Sequence, residues 1–310
     1  MRPSFAPLLR CPRCLADGSL TLDARASDAR EAREGTLSCG RCAATFGVRD
    51  GIADLLDDPP GFVRREAAGL ERFAQAMRDD GWDADRIRAL PDVDLPYWHG
   101  QARAIRRVLA EGGFRPGERI VDVGSNTCWA SNLFAREGLE VVALDIATTE
   151  LQGLKTAEHF FAGEDGVFFE RLLSVMFAPA LASGSMDHAF CCEVLHHNDI
   201  GNLRRTFAEL HRVLRPGGRV HVVNEPLRFP LRLKRDHAAA VAEFEGYEHV
   251  YFLHQYVWAA RRAGFRVRIT GLEPSGSAPR RAARFAWRHL LRGDANLSLE
   301  CVKPGEQVDS

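Results

Sequence analysis

The sequence RIVDVGSNTCWASNLFAREGLEVVALDI, residues 119–146, decides the fold of this chain. A β-branched apolar run at residues 120–123 leads into a tight turn at residues 124–126. Residues 129–136 have the spacing of a helix, and a second apolar run then ends on Asp145. The pattern predicts a strand, a turn, a helix and a second strand, the unit from which parallel sheets are built.

The same unit predicts a ligand site. In a parallel sheet, ligands bind at the carboxyl ends of the strands. Asp145 follows the turn by about 20 residues, where an acidic side chain can accept hydrogen bonds from a ribose diol. The turn lacks the G-x-G-x-x-G fingerprint of nicotinamide-dependent enzymes. This stretch alone therefore leaves open another nucleotide site or an empty unit.

The turn resembles motif I of the class I S-adenosylmethionine (SAM) methyltransferases, an acidic-x-G-x-G-x-G pattern. Asp122 and Gly124 match it, whereas Asn126 and Cys128 replace the second and third glycines. Asparagine tolerates a left-handed backbone better than other non-glycine residues. Cys128 falls at the start of the expected helix, where we expect a small side chain to cost little.

A second match lies further along the chain. Residues 184–223 contain S-x-D…LHH…RVLRPGG, which resembles the middle of the small-molecule SAM methyltransferases. We expect the fourth strand at residues 184–192, an amphipathic helix at residues 202–214 and the fifth strand at residues 219–223. Two independent motifs then indicate the same fold.

Four cysteines form two knuckles near the start of the chain, in C-P-R-C and C-G-R-C: Cys11, Cys14, Cys39 and Cys42. Two such knuckles aim four thiolates at one tetrahedral ion, so the spacing predicts structural zinc rather than a redox pair. The first 56 residues resemble the small zinc-ribbon proteins that activate tRNA, rRNA and protein methyltransferases. Between the knuckles, the polar residues 23–34 are expected to form a loop or a poorly ordered hairpin tip.

These resemblances imply an α/β fold: a Rossmann-like seven-stranded SAM methyltransferase sheet with helices on both faces, plus a small N-terminal zinc ribbon. We divide the sequence into a zinc ribbon (residues 1–58), a linker and helical cap (residues 59–100) and a methyltransferase domain (residues 101–310). A helix near residues 151–161 precedes the third strand. We expect the third strand near residues 167–169, the sixth at residues 265–270 and the seventh at residues 297–302.

Three further segments lie outside these motifs. Residues 63–77 and 84–90 have helical spacing and are expected to cap the cofactor cleft. Tyr97 and Trp98 precede a helix expected at residues 101–110, and they either contact a ligand or staple the cap to the core. A lid is expected at residues 227–251 and a helix at residues 253–263. A basic helix is expected at residues 280–292; such a basic face is more often simply exposed to solvent than a phosphate-binding site.

Composition limits the setting of the protein. The chain has 310 residues and a net charge of −1, so there is no global bias toward nucleic acid or anionic membranes. No apolar run reaches the roughly 18 residues of a membrane span. The start lacks the long apolar region of a signal peptide. We therefore expect a cytoplasmic protein without membrane contact, whose eight cysteines are reduced or metal-bound.

The resemblance also implies which residues hold SAM. The backbone of Gly124, Ser125 and Asn126 approaches its methionine portion, and Asp122 orients the turn or the amino group. Asp145 accepts from the ribose hydroxyls. Ser174 stands where the family has an acid for the adenine amino group, and Glu193 lines the cleft near the methyl group.

A general base is needed only if the acceptor carries a proton on the methylated atom. Histidine is the side chain best suited to that role. His196 and His197 follow the fourth strand, where acceptors bind in the family, although the pair could equally cap or pack the next helix. His249 and His254 are second candidates.

Our leading hypothesis is a SAM-dependent methyltransferase that acts on an O, N or C atom of a small or medium-sized metabolite. The alternatives are a tRNA or rRNA methyltransferase, suggested by the ribbon and the Arg-rich patches, and a catalytically degenerate SAM-fold binding partner. Nucleic acid is not favoured, because a near-neutral chain has no large electrostatic footprint. The ribbon is also a candidate surface for contact with another protein.

Overall fold

The computed structural model describes residues 1–163, 167–227, 249, 251–271 and 296–305. Within them, one sheet holds eleven strands: β1 (Leu20–Ser27), β2 (Ala32–Cys39), β3 (Thr45–Arg49), β4 (Ile52–Asp54), β5 (Arg119–Val123), β6 (Glu140–Asp145), β7 (Glu170–Leu173), β8 (Met186–Cys192), β9 (Leu214–Pro226), β10 (Arg266–Ile269) and β11 (Asn296–Val302). Their order in the sheet is β1-β2-β3-β4-β7-β6-β5-β8-β9-β11-β10.

Seven of these strands, from β7 to β10 in that order, form the predicted methyltransferase sheet. Strands β7, β6, β5, β8 and β9 pair in parallel, and β11 pairs antiparallel with both β9 and β10. Parallel pairing brings the carboxyl ends of β5, β6, β7 and β8 to one edge of the sheet, where ligands bind in such folds. The predicted fold class is confirmed.

Helices are described in the same ranges: α1 (Gly61–Asp79), α2 (Ala84–Arg88), α3 (Pro96–Glu111), α4 (Trp129–Arg136), α5 (Ala157–Phe161), α6 (Ile200–Val213) and α7 (Leu253–Arg262), with 3-10 turns at Pro3–Leu8, Leu154–Thr156 and Leu195–His197. Alternate residues of β5 face opposite sides of the sheet. Val121 packs in a core with Leu37 of the ribbon and Phe207 of α6. Ile120 packs in a second core with Ile105 of α3. Both faces of the sheet are therefore covered.

The ribbon strands continue the methyltransferase sheet. Strand β4 pairs in parallel with β7, in the register Ile52↔Arg171, Ala53↔Leu172 and Asp54↔Leu173. Strands β1 to β4 pair antiparallel with one another. The sheet therefore passes from the ribbon into the methyltransferase half without a break.

A buried ion-pair cluster lies beside this junction. The Arg171 side chain on β7 is fully buried and bonds to Glu31, whose side chain is only 2% exposed. Arg171 also bonds to Glu158 of α5 at 2.6 Å, and Arg33 of β2 contacts both carboxylates, at 2.8 Å to Glu31 and 2.7 Å to Glu158. Because a buried charge is costly unless it is paired, these residues fix the ribbon against β7.

Several predicted boundaries were wrong. Residues 23–34, expected as a loop or a poorly ordered hairpin tip, form the end of the β1–β2 hairpin, where most of them belong to the two strands and Glu31 is buried. The third strand begins at Glu170, after the expected residues 167–169, because the side chain of Phe169 packs on Phe161 before the ladder begins. Helix α3 begins at Pro96, a residue suited to the first helical turn, so its start precedes the expected Gln101.

The expected lid and the expected basic helix at residues 280–292 lie outside the described residues, except for Leu227, His249 and Tyr251 of the lid. The helices of the described ranges include none that is both long and apolar enough to cross a bilayer.

Candidate functional site

A cavity of about 400 Å³ opens at the carboxyl ends of β5 to β8. Its floor is the motif turn that follows β5, and its roof is one face of α1 with the first turn of α3. The predicted cofactor residues that the structure brings together on its wall are Asp122, Gly124, Ser125, Asn126, Asp145, Ser174 and Glu193. Residues of the expected cap, α1 among them, cover it.

The turn after β5 keeps the backbone conformation of a glycine-rich motif, although Asn126 and Cys128 replace two of its glycines. Gly124 has a φ of +67°, and a Cβ there would lie 2.2 Å from Cγ2 of Val194, so no larger residue fits. Asn126 and Cys128 also have left-handed backbones, with φ of 45° and 55°. Asn126 behaves as expected, but the expectation that Cys128 costs little was wrong. A left-handed cysteine costs about 1–2 kcal/mol in backbone strain.

Asp145 is held by the backbone around it. The N–H of Asn126 donates to Oδ2 at 2.8 Å, and the N–H groups of Ile146 and Ala147 donate to Oδ1 at 2.7 and 3.0 Å. The residue is only 5% exposed, so this strand end is buried. Asp145 therefore fixes the turn after β5 as well as facing the cavity.

Two carboxyl groups in this wall are harder to ionise than usual. Burial raises the pKa of Asp145 to about 6, although the three backbone donors favour its charged form. Burial also raises the pKa of Asp122 to about 7, although the Ser131 hydroxyl donates to Oδ2 at 2.6 Å. A cation in the cavity would favour the charged form of both groups.

Ser174 is the residue that directly follows β7. Its hydroxyl accepts from the N–H of Ala180 at 3.1 Å, and its own N–H donates to the backbone oxygen of Asp145 at 2.9 Å. The side chain closes a short loop whose residues Val175, Met176 and Phe177 also line the cavity. Ser174 thus shapes this wall of the cavity.

Glu193 follows β8 in a left-handed conformation, with φ of 49°. Its Oε2 accepts from the Tyr97 hydroxyl at 2.5 Å, which ties α3 to the end of β8. Burial raises the pKa of Glu193 against the opposing effect of that hydrogen bond. Trp98 packs edge-on against Trp129 at 5.8 Å. Tyr97 and Trp98 therefore both line the cavity and hold α3 against the core.

The two predicted histidines face different surroundings. His196 turns away from the cavity and its Nδ1 lies 3.0 Å from Oε2 of Glu225. Glu225 is fully buried and also accepts from the N–H groups of Val194, Leu195 and His196. Burial opposes its ionisation, but the hydrogen bonds from His196 and the backbone outweigh this and lower the pKa of Glu225.

Sequence reasoning missed this role of Glu225. A carboxylate right after the fifth strand was visible in Asn224-Glu225-Pro226, but its partners lie about thirty residues away. His197 does line the cavity, and its Nδ1 lies 2.7 Å from Oε1 of Glu66 on α1. Neither Glu66 nor its pairing was predicted.

The second candidate histidines lie elsewhere. The N–H of His249 donates to the backbone oxygen of His196 at 2.7 Å, and its ring stacks on Tyr251 at 6.0 Å. His254 is exposed and stacks on Phe252 at 5.6 Å. Neither ring belongs to the described wall of the cavity.

The cavity is acidic and aromatic. Among the described residues that line it there is no lysine or arginine, while five carboxylic acids are present: Glu66, Asp80, Asp122, Asp145 and Glu193. The aromatic lining residues are Phe62, Phe73, Trp82, Tyr97, Trp98, Trp129, Phe177 and Phe190. Such a wall suits a cationic ligand and disfavours an anionic one.

The four ribbon cysteines form a compact cluster. Their Sγ atoms all lie within 4.8 Å of one another, with Cys11 to Cys42 at 3.7 Å and Cys14 to Cys39 at 3.6 Å. Zinc–sulfur bonds of about 2.3 Å in a tetrahedron place the sulfurs about 3.8 Å apart. The donor set and its spacing therefore fit one zinc ion.

The topology and the position of the cavity define a class I methyltransferase fold. In agreement, residues 121–222 match the family model described as "Methyltransferase domain". The chain is 33% identical over 157 residues to the ubiquinone biosynthesis O-methyltransferase of Xanthomonas euvesicatoria, covering 49% of this chain and 58% of that protein. It spans about half the length of the curated relatives that it matches.

Two solved structures share the fold at low sequence identity. Phosphoethanolamine N-methyltransferase 2 of Haemonchus contortus, in complex with SAM, has a TM-score of 0.51 and 16% identity over 75% of this chain and 60% of that chain. A complex between the Haloferax volcanii Trm112 methyltransferase activator and the putative methyltransferase has a TM-score of 0.50 and 18% identity over 77% of this chain and 97% of that chain.

Proposed function

We propose that this protein is a SAM-dependent methyltransferase that acts on a small or medium-sized metabolite. The observation that carries the proposal is the cavity at the carboxyl ends of β5 to β8, with Gly124 and Asp145 on its wall. The relatives named as methyltransferases and the SAM-bound Haemonchus contortus structure support it. The acceptor atom is an O, N or C atom.

The residues of the wall divide into cofactor and acceptor groups. Asp145 accepts hydrogen bonds from the ribose hydroxyls, and the turn at Gly124 lets the backbone approach the methionine portion. Ser174 and its loop border the adenine. When bound, SAM supplies an electrophilic methyl group on a sulfonium, which is a good leaving group. The protein then has to align the acceptor with that methyl group and exclude water.

His197 is the candidate general base for an acceptor that carries a proton. It lines the cavity after β8, whereas His196 is bound to Glu225 and shapes the turn. His196 is thus a positioning residue in this proposal, and only His197 is assigned to proton transfer. An acceptor that is already deprotonated would not need it.

The charge of the cavity favours a metabolite over RNA. RNA carries one negative charge per nucleotide, and its binding sites depend on lysine and arginine. The described cavity wall has five acids and neither of those basic residues. We also propose that Cys11, Cys14, Cys39 and Cys42 hold a structural zinc ion.

Incubation of the full chain with methyl-labelled SAM and a cell extract tests the proposal. The extract is afterwards separated into small-molecule, RNA and protein fractions. We expect the label in the small-molecule fraction. Label in RNA would favour the RNA methyltransferase hypothesis. Absence of label and of SAM binding would favour the degenerate binding partner.

A further inference from the structure

Four aromatic side chains gather in the wall of the cavity and are called the aromatic corner below: Trp82, Tyr97, Trp98 and Trp129. Trp98 is at the centre of the group. Its ring centroid lies 5.3 Å from that of Tyr97, 5.8 Å from that of Trp129 and 6.4 Å from that of Trp82. The Tyr97 and Trp129 rings are nearly perpendicular to it, at 82° and 88°. The cavity is thus bordered here by several differently oriented aromatic rings.

A carboxylate lies beside the aromatic corner. Oε2 of Glu193 accepts from the Tyr97 hydroxyl at 2.5 Å. Among the described residues, none forms a salt bridge with Glu193. Burial raises the pKa of this half-buried acid, while hydrogen bonds from Tyr97 and Gln101 and the charge of His196 oppose that rise. A carboxylate in such a place is costly unless a positive charge accompanies it.

The other acids of the cavity wall are occupied or lie elsewhere. Oε1 of Glu66 lies 2.7 Å from Nδ1 of His197, an ion-pair distance. Asp122 and Asp145 accept hydrogen bonds around the turn after β5, which the proposed function gives to the cofactor. Asp80 is exposed at the end of α1. The acid beside the aromatic corner, at the end of β8, is the one left for the acceptor.

One ring of the aromatic corner already carries a cation on its other side. Cζ of Arg86 lies 4.4 Å from the ring centroid of Trp82, a cation–π distance. Arg86 does not line the cavity, whereas Trp82 does. The rings of Tyr97, Trp98 and Trp129 have no such partner among the described residues. Their surfaces toward the cavity are therefore available to a cation of the ligand.

We propose that the aromatic corner and Glu193 bind an ammonium group of the acceptor, so that the substrate class is an amine that is cationic at neutral pH. The inference rests on the proposed function. Aromatic faces attract an ammonium group, and a carboxylate forms a charge-assisted hydrogen bond with it. The described cavity wall has no lysine or arginine that would repel such a group.

The ammonium group serves recognition and is not the group that reacts. A nitrogen that keeps its ammonium proton beside a carboxylate has no lone pair with which to attack the methyl carbon. The methylated atom is therefore a different atom of the same molecule. An acceptor with a carboxylate or phosphate in place of the amine would meet Glu193 with a like charge, and we expect the site to exclude it.

Calorimetric titration of the full chain saturated with S-adenosylhomocysteine tests the inference. This product lacks the sulfonium charge of SAM, so it leaves the aromatic corner without that cation. The probes share one shape and differ in charge: 2-phenylethylamine, 2-phenylethanol and 3-phenylpropionate. We expect the amine to bind about tenfold more tightly than the alcohol, because a hydrogen bond to a charged group is gained. The carboxylate should bind more weakly than the alcohol.

Glu193→Gln should reduce the preference for the amine over the alcohol to about threefold or less, because the amide still accepts from Tyr97 but carries no charge. Glu71→Gln is the matched control, since Glu71 is an exposed acid on α1, and it should keep the wild-type preference. Thermal melts and the affinity for S-adenosylhomocysteine verify that both variants fold with an intact cofactor site.

Three results would overturn the inference: an amine that binds no more tightly than the alcohol, a carboxylate that binds as tightly as the amine, or an unchanged preference in Glu193→Gln. Methyl transfer from labelled SAM is measured in parallel. If neither SAM nor its product binds, the proposed function fails. The three probes are then titrated into the ligand-free chain, where the same preference still decides whether this is an ammonium site.

Discussion

The cysteine knuckles of the ribbon and the junction of the ribbon with β7 are built from different kinds of contact. The knuckles depend on four cysteines whose spacing is short and visible in the sequence. The junction depends on partners more than a hundred residues apart: Ile52 beside Arg171, Glu31 bonded to Arg171, and Leu55 donating its N–H to Leu173. Local geometry thus makes the ribbon, and long-range pairing makes it part of the sheet.

The junction also reaches the cavity. The loop at residues 174–182 contains the lining residues Ser174 to Phe177, and the ribbon holds both of its ends. At one end β4 pairs with β7. At the other, the N–H of Arg10 donates to the oxygen of Ala180 at 3.0 Å, and the N–H of Ala182 donates to the oxygen of Leu8 at 2.8 Å. One wall of the cavity is therefore supported by the ribbon.

The largest effect should follow from breaking the junction itself. Arg171→Met removes one partner of a buried ion pair and leaves Glu158 to Arg33, and Glu31 to Arg33 and the Met1 ammonium group. We expect the free energy of unfolding to fall by about 3–5 kcal/mol in urea titrations. Arg119→Met removes the exposed pair with Glu140 and should cost at most about 1 kcal/mol. Similar small losses in both variants would show that the junction contributes little.

The next effect concerns the wall on the methyltransferase side. Asp145→Ala should raise the dissociation constant of SAM about ten- to hundredfold, since hydrogen bonds to a charged group are lost. The three backbone donors left without an acceptor should also lower the free energy of unfolding by about 1–3 kcal/mol. Asp145→Asn should lose less affinity. Calorimetric titration beside thermal melts measures both quantities, and unchanged affinity in Asp145→Ala would remove the ribose assignment.

Removal of zinc should give a smaller loss. Because the ribbon holds both ends of residues 174–182, zinc-stripped protein should bind SAM about tenfold more weakly, or about 1.4 kcal/mol. The measurement is calorimetry on zinc-loaded, stripped and reloaded protein, with elemental analysis of each. An equal dissociation constant of SAM in zinc-loaded and stripped protein, or no zinc in the purified chain, would contradict this support of the cavity wall by the ribbon.

The smallest expected effect is the dependence of stability and SAM affinity on pH. The pKa values of Asp145 and Asp122 in the folded chain are raised by burial to about 6 and about 7. Raised carboxyl pKa values mean that the folded state holds protons that the unfolded chain has lost, so these two groups make the ligand-free protein less stable as pH rises from about 4 to 7. SAM is cationic and favours their charged forms.

Its affinity should therefore rise about three- to tenfold between pH 5.5 and 7.5, in the direction opposite to that stability trend. Titrations and melts across this range measure the two trends. Asp122→Asn serves as the comparison, because one of the two titrating groups is then absent. Affinity that is flat or falls with pH would contradict the assignment of these groups to a cation site.

Sequence analysis predicted the features that depend on residues close to one another along the chain. The period-2 and helical patterns around β5, α4 and β6 placed those elements within one residue, and the motif turn located Gly124 and Asp145 in the cavity. It could not predict that Glu31 is buried, because its partner Arg171 lies 140 residues away. Nor could it predict the contact of Glu66 with His197, since α1 reaches the cavity only through tertiary packing.

Photo-crosslinking of labelled SAM to the full chain tests the central claim most directly, because it locates the cofactor. After irradiation, the protein is digested and the labelled peptides are identified by mass spectrometry. We predict one SAM per chain, with label in peptides that contain residues 122–130, 145–152 or 174–177. Label confined to peptides outside the cavity wall, or none at saturating SAM, would contradict the account.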